Sequence, residues 1–352
     1  ITRIVEYGAG IDAANFNEIQ LAMRCGASKD NIIATPNNLS PNELKMIKNS
    51  GVSTNFDYEG QLDLLEGDIP DTVSFRINPG IGRGEFAGTT TAGKNVKFGI
   101  SKEDAIRAYS KALNQGAKHF GIHMMTGSNV LDPEFFNQST KLFFKIAEII
   151  EDQTGINFDF IDIGGGFGVP YMDNKPLDIN KTGEFISNNF MDSNKRGYFN
   201  NSHLLIEPGR YIIADSAILL ASVTSIKKSG HTLIGINASM NSLIRIPLYG
   251  AHHRIILSGH SYNEATEEYD IVGQACENTD YLGRNVKLPE PKIGDILIIL
   301  DAGAYVSSMA SNYNLLPRPG ELVLDGGNKI LTRAHDSLES MIFPYKNNFD
   351  IN

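Results

Sequence analysis

Short apolar segments alternate with amphipathic ones through the first two-thirds of this 352-residue chain. That alternation restricts the fold more than any other feature. Strands are expected at 10–14, 31–35, 53–58, 72–78, 119–125, 158–163 and 203–207. Between most of them the apolar spacing becomes helical, as in 17–25, which carries Ile19, Leu21, Ala22 and Met23. Ser40-Pro41-Asn42-Glu43 and Ser101-Lys102-Glu103-Asp104 look like helix N-termini of the capping-box type. Asp132-Pro133 opens a helix with Leu142, Phe143, Ile146, Ile149 and Ile150 at helical spacing, ending near Gly155. Alternation of this kind implies a parallel sheet with right-handed crossovers. A closed (β/α)8 TIM barrel needs eight strands, whereas an open doubly wound sheet could use the seven counted here. The chain opens on Ile1-Thr2-Arg3, without a methionine or a signal-peptide pattern. A missing first strand is therefore expected just before Ile1, which favours the barrel.

Helical periodicity fades after about Asp215. Short β-rich runs follow at 218–226, 231–237, 253–258, 268–276, 295–300 and 320–323. Turns such as Lys228-Ser229-Gly230 separate them. The expected organisation is a barrel domain over 1–215 and an all-β domain over 216–352.

The formal charge of −10 leaves no basic surplus to neutralise phosphates, which argues against a nucleic-acid partner. No run of about 18 apolar residues exists, so no membrane span is expected. Cys25 and Cys276 are the only cysteines and lie far apart. They do not form a secreted disulfide framework, and they fit a reducing cytoplasm better.

In a barrel, catalytic and ligand groups sit at the C-terminal ends of the strands. Three of the expected strands end on His123-Met124-Met125-Thr126-Gly127-Ser128, on Gly164-Gly165-Gly166-Phe167-Gly168 and on Glu207-Pro208-Gly209-Arg210. The consecutive glycines read either as a tight turn or as backbone brought close to an anion. Taken alone, that stretch leaves both readings open. Successive strand ends bearing glycine loops, a hydroxyl, a carboxylate and a guanidinium favour a ligand site.

Further motifs follow in order. They are Phe75-Arg76-Ile77-Asn78-Pro79-Gly80, Lys97-Phe98-Gly99-Ile100, Leu243-Ile244-Arg245-Ile246-Pro247-Leu248-Tyr249-Gly250, Cys276-Glu277-Asn278-Thr279-Asp280 and Asp301-Ala302-Gly303-Ala304-Tyr305. Met309, Ser311-Asn312-Tyr313-Asn314 and Pro317-Arg318-Pro319 complete the series. From about Gly10 to its end, the chain resembles the fold-type III pyridoxal-phosphate decarboxylases, most closely the diaminopimelate branch. The resemblance implies an alanine-racemase-like barrel with a C-terminal β-domain that contributes to the active site. It also implies pyridoxal 5'-phosphate as cofactor.

The resemblance assigns roles as well. Gly164, Gly165, Gly166 and Gly168 would hold the cofactor phosphate through their N–H groups, with Gly209 and Arg210 adding to that site. Ser128 and Tyr305 would supply hydroxyls. Glu207 would face the pyridine nitrogen and keep the ring protonated. Cys276 matches a cysteine that reaches the site from a partner subunit and serves in protonation, which implies a homodimer with shared active sites. The substrate is expected to be a small amino acid carrying a second amino-acid head. Arg210, Arg245, Tyr249 and Tyr305 would meet its carboxylate, and Glu277 its ammonium. The implied reaction is decarboxylation of meso-2,6-diaminopimelate to L-lysine. The alternatives are decarboxylation of another basic amino acid and a non-catalytic homologue on the same scaffold.

Two departures stand out. The family's Schiff-base lysine lies before the segment matched by the start of this chain, so it is expected upstream of Ile1. Met125 stands where the family carries a histidine that stacks on the cofactor ring. A thioether can pack on a ring face but cannot donate a proton. His123 matches the first histidine of that motif, while His252 and His253 read as structural or surface residues. No metal-ligand spacing is evident, and no metal is expected.

Overall fold

A computed structural model describes residues 1–172, 174–260, 265 and 267–348. The chain divides into two compact units. One comprises Ile1–Val169 with Lys175–Gly209, the other Pro170–Asn174 with Arg210–Asn352.

The first unit is built on seven strands: β1 Ile11–Ala13, β2 Ile32–Ala34, β3 Ser53–Phe56, β4 Thr72–Arg76, β5 His119–His123, β6 Phe160–Asp162 and β7 His203–Leu205. Each expected strand is present, two or three residues shorter in all. Every pairing is parallel, and the order across the sheet follows the chain from β1 to β7. A doubly wound sheet reverses its strand order at a switch point. This sheet never reverses, so it has the winding of a barrel.

Crossover helices occupy most of the connections: α1 Phe16–Arg24, α2 Pro41–Ser50, α3 Lys102–Asn114, α4 Pro133–Thr154 and α5 Ile179–Lys195. Their starts are chemical. Ser40 and Glu43 form the full capping box before Pro41. Ser101 and Asp132 each accept one of the free N–H groups of the helix that follows. Gly155, at φ 73°, ends α4 in the left-handed conformation.

Because side chains alternate across a strand, each strand has a helix-facing and an inner face. Phe75, Ile122 and Ile161 lie side by side in register on one of them. Tyr109 of α3 packs there, with its ring 5.1 Å from Phe75 and its hydroxyl donating to the Gly121 carbonyl at 2.6 Å. The opposite face carries Ser74, Gly121 and Phe160 in one row and Arg76, His123 and Asp162 in the next. Gly121 leaves room for Phe160, whose ring would lie 2.0 Å from a Cβ at that position.

The second unit contains β8 Leu219–Ser229, β9 His231–Ile236, β10 Ile255–Leu257, β11 Glu267–Val272, β12 Tyr281–Leu288 and β13 Ile296–Ile299. They form one sheet in the order β10-β13-β8-β9-β11-β12, antiparallel except where β9 meets β11. Val223, Ile234, Ile236, Leu257, Ile271, Leu282, Leu297 and Ile299 make its buried core. A hairpin of β14 Glu321–Asp325 and β15 Asn328–Arg333 turns at Gly326-Gly327.

Two strands here escape the sequence pattern. In β12, Gly283 and the left-handed Asn285 break the apolar alternation, and the register with β11 shifts. β15 carries no buried residue, so it has no alternation to show. The run expected to extend to 276 ends at Val272. Past it, the Gly273 N–H bonds the Asp280 carbonyl and the chain turns into a loop.

Candidate active site

The last residues of β4, β5 and β6 are Arg76, His123 and Asp162, aligned in register across the sheet. Glu207 lies two residues beyond Leu205, the register partner of Asp162, so alternation points it to the same face. On the neighbouring strands, Thr35 donates to Asp12 at 2.7 Å, and Asn55 donates to Thr35 at 3.1 Å. The Gly99 N–H donates to Asp57 at 2.7 Å. Polar side chains thus mark the C-terminal end of strand after strand.

Arg76, His123 and Asp162 are buried and Glu207 nearly so. Burial, reinforced by the charge of Glu207, pushes the Asp162 carboxyl up to about 8. Burial and the charge of Asp12 likewise push Glu207 up to about 8. His123 is lowered by burial and favours the neutral ring. Its Nε2 lies 3.5 Å from Glu207 Oε1. Both His123 nitrogens and Glu207 Oε1 are buried without a hydrogen-bond partner, a costly condition that a ligand would relieve.

The glycine loop closes against this row. A Cβ on Gly165 would lie 2.1 Å from the Glu207 carbonyl oxygen. Gly166, at φ 92°, would bring a Cβ within 2.6 Å of the Gly127 backbone. The glycines are therefore demanded first by close packing of three strand ends. The Gly165 N–H is already engaged, donating to Met125 Sδ at 3.1 Å. Among the described residues, the N–H groups of Gly166 and Phe167 meet no acceptor. Ser128 follows Gly127, which packs against Gly166, and the Gly209 N–H donates to the Glu207 carbonyl at 2.9 Å. This unit therefore fits a flat ligand that carries a protonated ring nitrogen for Glu207 and an anion for the loop. Pyridoxal phosphate has both. No lysine lies on any of the seven strands.

His123, Asp162 and Glu207 also present one ligand atom each, all within 4.8 Å of one another. Sequence spacing could not show this, because the three come from three different strands. Arg76, His123 and Asp162 did leave one signal: each is a polar residue closing an apolar strand.

The remaining expected residues lie in the second unit, in two groups. Arg210 donates from Nη1 to the Tyr171 hydroxyl at 2.9 Å and sits over the Tyr305 ring at 4.7 Å. Arg245 sits over the Tyr171 ring at 4.5 Å. Tyr249 ends the one-turn helix Arg245–Tyr249. Cys276 and Glu277 lie in the loop after β11. The exposed Cys276 exchanges two bonds with Asn314: its N–H donates at 3.0 Å and its sulfur accepts at 3.2 Å. Tyr313 donates to Glu277 at 2.5 Å. The sequence pattern does not mark Tyr171, His253 or Asn314 as site residues. Tyr171 lies in a loop and reaches Arg210 across 39 residues, a pairing that no local pattern encodes.

A family model described as "Pyridoxal-dependent decarboxylase, pyridoxal binding domain" matches residues 1–214. The diaminopimelate decarboxylase of Methanothermobacter thermautotrophicus is 37% identical over 346 residues, spanning 97% of this chain and 81% of that protein. The diaminopimelate decarboxylase of Thermoplasma acidophilum is 39% identical over 336 residues, spanning 95% and 80%. The solved structure of Helicobacter pylori diaminopimelate decarboxylase complexed with L-lysine superposes with a TM-score of 0.90. It is 27% identical in sequence, and the match covers 99% of this chain and 87% of that one.

Proposed function

Because this chain belongs to the pyridoxal-dependent decarboxylases, we propose that it decarboxylates meso-2,6-diaminopimelate to L-lysine with pyridoxal 5'-phosphate. The observation that carries the reading is the strand-end arrangement of the first unit. A buried, unpartnered Glu207 oxygen stands beside a glycine loop with two unused N–H groups, in a chain 37% to 39% identical to two diaminopimelate decarboxylases. When bound, the cofactor supplies an electron sink for the pair released as CO2 leaves.

The chain's own residues do the rest. The Gly166 and Phe167 N–H groups and the Ser128 hydroxyl hold the phosphate. Glu207 accepts from the ring nitrogen and keeps that proton in place, its charge balanced by the cation it meets. Met125 offers a polarizable thioether to a ring face, and it holds Gly165 in position. Arg210, Arg245, Tyr249 and Tyr305 suit a substrate carboxylate, and Glu277 an ammonium. Cys276 holds a proton at Sγ for the substrate carbon that loses CO2. A homodimer with shared sites belongs to this reading and is supported by the exposure of Cys276. A reducing, cytoplasmic location is supported by two free cysteines.

Glu207→Gln tests the reading. A neutral amide cannot hold the ring proton. The variant should retain cofactor absorbance and lose about 10²-fold or more in kcat, the scale for removing one preorganised electrostatic group. Wild-type kcat in a cofactor-loaded variant would contradict it.

A further inference from the structure

The segment 311–318 of the second unit is held in a costly shape. Leu315 lies in the left-handed region at φ 55°, a conformation rare for leucine, and Asn314 beside it shares that φ. Other residues pin the segment from both ends. The buried Asn241 amide reaches the carbonyls of Ser311, Leu316 and Pro317 at 3.3 Å each. Asp336 accepts from Asn312 Nδ2 at 2.8 Å and from Arg318 Nε and Nη2 at 2.8 Å and 3.2 Å. The turn so fixed meets the loop after β11 residue for residue, Asn314 on Cys276 and Tyr313 on Glu277.

The Tyr313 hydroxyl donates to Glu277 Oε1 at 2.5 Å, in the range of a bond to a charged carboxylate. That bond raises the Tyr313 pKa, so the proton stays on the tyrosine. Glu277 Oε2 has no partner among the described residues. Both side chains are exposed. An exposed bond adds little to folding, so stability does not explain a turn held under strain. Strain of this kind persists where a geometry is used. A carboxylate with one oxygen anchored and the other open is set to receive a cation.

We propose that Tyr313 is a positioning residue: it anchors one oxygen of Glu277 so that the other takes the ammonium on the substrate head that does not react. This role rests on the decarboxylase reading above and deepens it, because it names what fixes the group that meets this ammonium. L-Lysine, the product, keeps that ammonium, whereas 6-aminohexanoate is the same chain without it. The two ligands therefore separate an effect on the ammonium from any general loss.

The test uses the cofactor-loaded, full-length enzyme and Tyr313→Phe, which removes the hydroxyl alone. L-Lysine binding, measured by calorimetry, should weaken about three- to tenfold, the scale of ordering one side chain. The affinity for 6-aminohexanoate should not change. KM for diaminopimelate should rise similarly with kcat within about twofold, as expected when binding shared by ground and transition states is lost. In a Glu277→Ala background, with no carboxylate to orient, adding Tyr313→Phe should cost L-lysine binding nothing further. Alkylation of Cys276 by iodoacetamide should keep its wild-type rate in Tyr313→Phe, because Asn314 and Asp280 still hold the loop. Unchanged L-lysine affinity in Tyr313→Phe would overturn the proposal. So would an equal loss for 6-aminohexanoate, or a loss that persists in the Glu277→Ala background. Faster alkylation of Cys276 would show that Tyr313 only closes the loop, and would overturn it too. A wild-type enzyme that shows this ligand pattern but no turnover of diaminopimelate would overturn the activity and leave Tyr313's role standing.

Discussion

Gly165 and Gly209 were both expected to serve the cofactor phosphate, yet their surroundings differ. A Cβ at 165 would strike the Glu207 carbonyl oxygen at 2.1 Å, while a Cβ at 209 meets nothing within 4 Å. Gly165→Ala should therefore destabilise the protein even without cofactor, by about 1–3 kcal/mol, as for other forced close contacts. Gly209→Ala should leave cofactor-free stability within about 0.5 kcal/mol. Urea unfolding of the two variants measures this, and equal stability would show that the loop can open without cost. Loss of cofactor binding in a Gly165 variant would not by itself identify a phosphate site, because the strand ends would shift as well.

Asp162 gives a second test at this scale. Its folded pKa of about 8 lies above the unfolded value of about 3.9. The unfolded chain therefore ionises first as pH rises. The stability due to the protonated carboxyl is complete below about pH 4 and is lost by about pH 8. Asn at 162 can still accept from the Gly164 N–H and does not ionise. In the cofactor-free protein, Asp162→Asn should gain melting temperature relative to wild type between pH 5 and pH 8. A constant difference across that range would contradict the raised pKa.

Elements were legible from sequence where local chemistry sets them. The seven parallel strands, the Ser40 and Asp132 caps and the Gly155 stop all follow from residues within a few positions of one another. β12 was not legible, because Gly283 and Asn285 interrupt its pattern and its place depends on pairing with β11. The candidate site divides the same way. Glu207, Ser128 and the glycines announce themselves as strand-end motifs. His253, read as structural or surface, is buried against Arg245, and only the tertiary fold shows that contact.

The loop carrying Cys276 is also set by distant contacts. Buried Asp280 accepts from the Ser239 hydroxyl at 2.8 Å, the Met240 N–H at 2.7 Å and the Ala275 N–H at 2.8 Å. Asp280→Ala leaves three donors unsatisfied and should cost about 2–4 kcal/mol by chemical denaturation. It should also raise the alkylation rate of Cys276 by loosening the loop. Unchanged stability would mean that water replaces the carboxylate freely.

At the scale of the whole molecule, the seven strands wind in one direction, as a barrel requires, and gather Arg76, His123, Asp162 and Glu207 at one end of the sheet. The second unit holds its arginines on Tyr171 and its cysteine on Asn314. Neither set can be read from composition, and the net charge of −10 identifies no substrate. Under the proposed function, a substrate with two amino-acid heads is preferred over one ending in a bare amine. The direct measurement is turnover by the purified, full-length, cofactor-loaded enzyme, with CO2 and L-lysine both quantified. Diaminopimelate should yield the two in equal amounts, with kcat/KM at least about tenfold above those for ornithine, lysine and arginine, the scale of one charged hydrogen bond. No turnover of diaminopimelate, or a preference for a substrate without the second carboxylate, would contradict the assignment.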